Sequence, residues 1–333
     1  MKKLLGQINM QYGFERVIIM QTANQKSSKE RSLFSFLTAS LKGISQVMLI
    51  ENALSGLIML LAITTFSYSL GIIAFISGLI GTLIGKIGGV DEQTINQGLF
   101  GYNSVLTGMA LAIFLTGPNR WIIALVGAGI AAVLTAALMR VMKDMGIPVL
   151  TFPFIILTWF TLLSSYRLNV FHLTIDMVPQ DISRWELDIS GTIDWPEAIF
   201  NGIGQIFFVH STLSGILLFV AVFLAGWKLG LYAVLGNAFA LLTSFFLGGE
   251  YNPIYMGLYG YNAILAILAV SVIYKTDENR FSSITGIVAA CLTVPSIASL
   301  TTWLQPFGLP ALTMPFVLST WLFLGARKFM PNL

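Results

Sequence analysis

The sequence predicts an all-α polytopic membrane protein built as two inverted repeats, each of five transmembrane helices plus one re-entrant half-helix, with a pore at the pseudo-twofold interface. Three observations lead there. Of 333 residues, 56% are hydrophobic and 10% are charged, against roughly 25% charged in a soluble domain. Apolar runs suited to a hydrocarbon core of about 30 Å, which takes about 20 residues of helix, recur between short polar breaks. The same blocks of residues also appear, in order, in both halves of the chain.

Met1 to Arg31 is polar and mixed in charge, without the apolar core and cleavage site of a secretory signal, so residues 1–32 read as a cytoplasmic leader. The first repeat, 33–170, opens on a short segment near Gly43 to Ile50 and continues in runs near 52–66, 68–85, 96–116, 121–142 and 147–165. Eight residues of helix cover only about 12 Å, so the short segment reads as re-entrant. Residues 171–197 form a connection rich in carboxylates (Asp176, Asp181, Glu186, Asp188, Asp194, Glu197), which suits the outside. The second repeat, 198–328, repeats the pattern near 202–209, 211–226, 228–248, 254–274, 282–298 and 308–328, and 329–333 form the C-terminus. Lys2, Lys3, Arg16, Lys26, Lys29, Arg31 and Lys42 precede the first long run, and Arg327 and Lys328 follow the last. The positive-inside tendency then puts both termini in the cytoplasm of a multi-pass protein of the cell (inner) membrane. Five spans per half is an odd number, so the second half is inverted relative to the first. Such a pair puts a solute site near the midplane.

The repeat is specific. Gly43-Ile44-Ser45-Gln46 recurs as Gly202-Ile203-Gly204-Gln205, and Gly98-Leu99-Phe100-Gly101-Tyr102-Asn103 as Gly257-Leu258-Tyr259-Gly260-Tyr261-Asn262, at a constant offset of 159. Pro148-Val149-Leu150-Thr151-Phe152-Pro153-Phe154 recurs at offset 162 as Pro310-Ala311-Leu312-Thr313-Met314-Pro315-Phe316, each followed five residues later by Trp159 or Trp321.

Membrane-depth segments hold almost no acids, bases or metal ligands, which argues against an enzyme, a metal centre or a cofactor. His172, His210 and Glu51 stand near segment ends, and Cys291 sits alone in an apolar run. No intramembrane carboxylate chain offers proton coupling, and no phosphate-binding glycine loop offers ATP drive. The basic leader lacks the aromatic interleaving of a nucleic-acid surface. Paired neutral polar groups remain. Gln46 and Gln205 bring amides into the short segments. Proline cannot donate to the carbonyl four residues back. Pro153 is therefore expected to free the carbonyl of Val149, Pro315 that of Ala311, and Pro148 and Pro310 acceptors one turn earlier. The result is a ladder beside Thr151 and Thr313. Tyr102 and Leu106, and their repeats Tyr261 and Leu265, share a helix face and narrow the path to a slot extended by Leu49 and Phe208. Acceptors between apolar walls suit a flat, uncharged, N–H-rich solute and exclude hydrated ions. Urea fits; the alternatives are another small neutral amide, ammonia or water.

With these motifs the chain resembles the urea transporter family, channel-like urea permeases of the bacterial type. The duplicated Pro-x-x-Thr-x-Pro-Phe, the Gly-x-Gly-Tyr-Asn blocks and the two glutamines carry the resemblance over about residues 40 to 328. It implies ten spanning helices and two pore half-helices per protomer, with a pore in each protomer of a homotrimer set in membrane lipid. Gly81-x-x-x-Gly85 offers close-packing spacing for such an assembly. Position by position, it implies that Gln46, Leu49, Tyr102, Leu106 and Thr151, with Gln205, Ile206, Phe208, Tyr261, Leu265 and Thr313, contact urea. Leu49 stands where the family often has Phe, and Gln205 where an acidic residue can occur.

Overall fold

The computed structural model describes residues 32–184 and 186–333; the leader expected over 1–32 lies outside these residues except for Ser32. Contacts divide the chain into Met1–Thr38 and a body, Ala39–Leu333. In the first half the helices are α1 (Ser32–Met48), α2 (Ala53–Phe66), α3 (Tyr68–Ile87), α4 (Glu92–Asn96), α5 (Tyr102–Phe114), α6 (Arg120–Lys143) and α7 (Phe152–Ser164). The second half runs in the same order: α8 (Trp195–Gly204), α9 (Thr212–Ala225), α10 (Trp227–Phe246), α11 (Tyr251–Tyr255), α12 (Gly260–Leu268), α13 (Ser282–Leu304) and α14 (Met314–Ala326). One element was not foreseen, a two-residue ladder pairing Leu115–Thr116 with His172–Leu173.

The protein is thus helical, and among the described residues α3, α6, α10 and α13 are long and apolar enough to cross a membrane singly. The helix ending at Met48 and α2, and likewise the helix ending at Phe207 and α9, form pairs bent by 73°, which brings the candidate spans to six if each pair is one. The runs expected near 96–116 and 147–165 are not single helices. A turn divides the first into α4 and α5, and the second stays non-helical until Phe152. Pro148 explains the latter, because a residue before proline avoids the helical region and the ring removes a donor.

Polar caps begin several helices: Asn52 accepts from Ser55 N at 3.1 Å, Asp91 from Thr94 N at 2.9 Å, and Asp194 from Glu197 N at 3.1 Å. Each meets an amide that a helix start leaves orphaned. Lateral packing follows a membrane rule, small residues inward and bulky apolar ones outward. On α6, Ala124, Ala128, Ala131 and Thr135 are buried, whereas Ile122, Val126, Ile130 and Val133 are exposed. Gly81 and Gly85 lie under Phe100 and Ser104, where an added Cβ would come within 2.3 Å of Phe100 O and 2.9 Å of its ring. That corrects the expectation that this pair serves assembly: it packs α3 inside the protomer.

The halves meet through α2 and α9, where Ser55 Oγ donates to Ala221 O at 2.8 Å and the hydroxyls of Thr65 and Ser214 lie 3.3 Å apart. Two sets of loops are tied separately. On one, Lys328 Nζ bonds Met145 O, Asn279 Nδ2 donates to Pro331 O at 2.7 Å, and Phe281 N donates to Asn332 O at 2.9 Å. These contacts join the α6–α7 turn, the α12–α13 turn and the C-terminus. On the other, Gln180 N donates to Gln305 O at 3.1 Å, Tyr166 OH to Phe307 O at 2.9 Å, and Asp188 N to Glu250 Oε1 at 3.2 Å. The connection is thereby tied to the end of α13 and the α10–α11 turn.

The repeated glycine block has a direct cause. Gly98 and Gly257 have φ of +75° to +80°, and a Cβ there would stand 2.5 Å from Gly43 N or 2.3 Å from Gly202 N. The short segment of each half crosses the turn before α5 or α12 backbone against backbone. Gly98→Ala and Gly257→Ala are expected to lower the unfolding temperature in detergent more than Gly89→Ala. Gly89 has φ +75° with nothing within 4 Å, so it carries only the left-handed cost of about 1–2 kcal/mol, whereas the other two add overpacking of about 1–3 kcal/mol.

Candidate functional site

The re-entrant half-helices expected near 43–50 and 202–209 are the ends of longer helices, Ser32–Met48 and Trp195–Phe207, each closed by a 3-10 turn, Gln46–Met48 or Gln205–Phe207. The next residue, Leu49 (φ 62°) or Phe208 (φ 58°), is left-handed. Leu49 N bonds Gln46 O and Ile50 N bonds Ser45 O; Phe208 N bonds Gln205 O and Val209 N bonds Gly204 O. This is the Schellman pattern, whose left-handed position is normally glycine. A leucine and a phenylalanine hold it instead, at about 1–2 kcal/mol each. Gln46 Nε2 donates to Gln97 O, and Gln205 Nε2 to Met256 O, both at 3.0 Å. The two glutamines thus tie the end of each half-helix to the turn before the next helix. Both are only half-buried.

The Pro-x-x-Thr-x-Pro segments differ from expectation. Pro153 and Pro315 stand in the first turn of α7 and α14, where a missing N–H breaks no internal bond. The carbonyls of Val149 and Ala311 precede those helices and accept from Phe152 N at 3.4 Å and Met314 N at 3.3 Å. Pro148 and Pro310 lie in non-helical chain and free no helical carbonyl. The ladder is therefore not a row of acceptors released by proline kinks.

What forms there is a cross-braced seam. Leu150 (φ 52°) and Leu312 (φ 51°) are left-handed, and their carbonyls are taken by the residues of the Tyr-Asn blocks. Leu150 O accepts from Tyr102 OH at 2.8 Å and Asn103 Nδ2 at 3.3 Å; Leu312 O accepts from Tyr261 OH at 2.6 Å and Asn262 Nδ2 at 3.2 Å. Trp159 Nε1 donates to Pro310 O and Trp321 Nε1 to Pro148 O, both at 2.8 Å, so each tryptophan holds the other half's segment. At the centre the hydroxyls of Thr151 and Thr313 are 2.7 Å apart. Both stand at helix N-cap positions and make no capping bond, a contribution of about 1 kcal/mol that such a threonine usually supplies.

Leu106 and Leu265 are buried one turn beyond the tyrosines in the same core as Ile206. Phe208 meets Phe114 edge-on at 5.7 Å and Phe154 at 6.3 Å between ring centroids. Leu49, Phe208 and Tyr261 pack against this core. Glu51 pairs with Lys42 at 2.7 Å, and His210 packs on Phe66. A cavity of about 680 Å³ lies elsewhere, beside Ile182 and the end of α13 (Ala298, Thr302, Trp303, Phe307), and shares no residue with the seam.

The family model that matches this chain, over residues 37–328, is described as urea transporter. The chain belongs to the urea transporter family. Its relatives include urea transporter 1 of sheep (Ovis aries), 26% identical over 323 residues that cover 93% of this chain and 82% of that protein. Urea transporter 1 of rat (Rattus norvegicus) is 26% identical over 310 residues, 90% of this chain and 79% of that one. The protein is accordingly a urea transporter and not an enzyme. In this member of the family the seam holds Asn103, Asn262, Trp159 and Trp321, whose donor roles the sequence reading did not assign. The available signal was that each repeats at the same offset as its neighbours.

Asn262 carries more of the seam than Asn103, because its Oδ1 also accepts Phe316 N at 3.0 Å, whereas Asn103 Oδ1 is buried without a partner among the described residues. Asn262→Leu is expected to destabilise by about 2–3 kcal/mol, leaving a buried amide unpaired. Tyr261→Phe, with Asn262 still bonded to the same carbonyl, is expected to cost about 1 kcal/mol. Thermal unfolding in detergent measures both.

Proposed function

We propose that the protein conducts urea passively along the seam between its halves, through a slot flanked by Tyr102, Leu106, Tyr261 and Leu265 and centred on Thr151 and Thr313. The 2.7 Å contact between those two hydroxyls carries this reading. It joins the starts of α7 and α14, one from each repeat. Two hydroxyls sharing one bond retain an O–H and several lone pairs, so the pair can accept from an amide and donate to its carbonyl. Gln46 and Gln205 would meet the solute at either end. Each commits Nε2 to a backbone carbonyl, and the oxygen of each carries no bond from the described residues. Ile206, Leu49 and Phe208 supply apolar walls. A planar neutral molecule exchanges water for these groups, while an ion meets no opposite charge and stays out.

The finer architecture belongs to the same proposal: two inverted repeats, ten crossings, both termini cytoplasmic in the cell membrane, one pore in each protomer of a homotrimer. Inversion is supported by the two tied sets of loops. The turn before α7 shares its set with the C-terminus, whereas the turn before α14 shares the other set with the connection.

Urea flux into proteoliposomes of the purified protein tests the function. Flux is expected to persist when an ionophore collapses ion gradients, and methylammonium is expected not to follow; flux abolished by the ionophore would refute passive conduction. Thr151→Val and Thr313→Val are each expected to lower flux roughly fivefold, the equivalent of one hydrogen bond of about 1 kcal/mol, with insertion retained. Unchanged flux in both removes the central pair from the path. Separately, solution mass in detergent is expected to equal three protomers, and a monomer mass would refute the trimer.

A further inference from the structure

Two other hydroxyls repeat at the offset of the central pair. Thr158 and Thr320 are fully buried, and neither Oγ1 has a hydrogen-bond partner among the described residues. A threonine inside a helix ordinarily bonds a carbonyl of the preceding turn, and here Thr161 does so with Leu157 O at 2.8 Å. Thr158 and Thr320 do not. Burying a hydroxyl without a partner is unfavourable, and the same omission at both equivalent positions points to a partner outside the chain.

Helix geometry gives the direction. Successive residues turn by about 100°, so Thr158, seven residues after Thr151, returns to within about 20° of its azimuth and stands about 10 Å further along. Thr151 faces Thr313 of the other half, and Trp159, on a neighbouring azimuth, reaches Pro310 O. Phe160, on the opposite azimuth, is 65% exposed, and its counterpart Leu322 is 57% exposed. In α14, Ser319 instead turns to Ala289 O of α13, leaving Thr320 on the Thr313 side. Phe154, between Thr151 and Thr158 on this face, touches Phe208. The other buried hydroxyls without a partner among the described residues, Ser77 and Thr107, have Gly236 and Ala266 as counterparts and lack the repetition.

We propose that the hydroxyls of Thr158 and Thr320 contact the permeating solute, a small neutral amide, one on either side of the Thr151–Thr313 pair. The path then offers hydroxyls at three levels about 10 Å apart, and an amide leaving the centre meets the next one before it regains bulk water. The proposal rests on the seam being the urea path.

The test measures urea, N-methylurea and water permeability of proteoliposomes carrying the full chain, for the unaltered protein, Thr158→Val, Thr320→Val and the matching Ser variants. Expected are a roughly fivefold loss of urea flux in each Val variant, retention in each Ser variant, and a changed ratio of N-methylurea to urea flux. Absent flux in the unaltered protein overturns the conduction reading itself. Normal flux there, with Val variants unchanged within about twofold, overturns only this proposal. So does a Val variant that alters water but not urea permeability, because the hydroxyl then holds water. If a Val variant fails to insert, Thr→Ala at the same position gives the same comparison without the added methyl.

Discussion

Where a helix breaks off in a protein's interior, each backbone group it releases must find a partner there, because no water is present to take it. The rest of the structure depends on meeting that constraint at four places: the ends of the two half-helices and the non-helical leads into α7 and α14. At the half-helix ends the chain closes on itself through the Schellman bonds and Gln46 or Gln205 secures the neighbouring turn. At the leads, Tyr102, Asn103, Tyr261 and Asn262 take the carbonyls of Leu150 and Leu312, and Trp159 and Trp321 take those of Pro310 and Pro148. Because the tryptophans reach across the repeats, satisfying the backbone also fixes the separation of the two halves.

The same constraint decides which polar groups keep free capacity. Carbonyls at the breaks are largely occupied, so the slot proposed for urea would rest on side chains that decline their usual local bonds. Thr151 and Thr313 leave their helices uncapped, and Thr158 and Thr320 forgo the carbonyl of the preceding turn. Strain follows a parallel pattern. Leu49, Phe208, Leu150 and Leu312 all sit at positive φ, where glycine would be more stable. A large side chain retained at such a position suggests that the side chain itself is needed, and Phe208 shows its use by packing against Phe114 and Phe154.

Much of this was legible in the sequence because duplication exposes it. The offsets of 159 and 162 set Gln46, Thr151 and Tyr102 apart from the many polar residues that merely cap helices, whereas the repeated glycines mark only the duplication, and the close crossing they permit is visible in the structure alone. What stayed hidden has physical causes. The stretch from Ile147 to Phe154 is apolar apart from Thr151, so hydropathy cannot separate the five non-helical residues 147–151 from the start of the helix. A proline before an apolar run signals a kink and a helix start equally well. Leucine carries no mark of a left-handed backbone. Gly81 and Gly85 have the spacing of a helix–helix contact, but spacing does not say whether the partner is the same chain or another.

The repeats are not copies. Phe114, Phe154 and Phe208 form one aromatic cluster; their counterparts are Ile273, Phe316 and Leu49. Past Phe114 the first half forms the short ladder with His172–Leu173, whereas α12 ends in a π-turn, Ala269–Ile273. Arg327 donates there to Val270 O at 2.7 Å and Tyr274 O at 2.9 Å. Such turns occur often near functional sites, and a guanidinium bonded to the last carbonyls of a helix is favourable. In the passive conduction proposed above, such differences between the halves have a bounded consequence: they act on rate and on discrimination between similar solutes, and they leave the direction of net flow to the urea gradient.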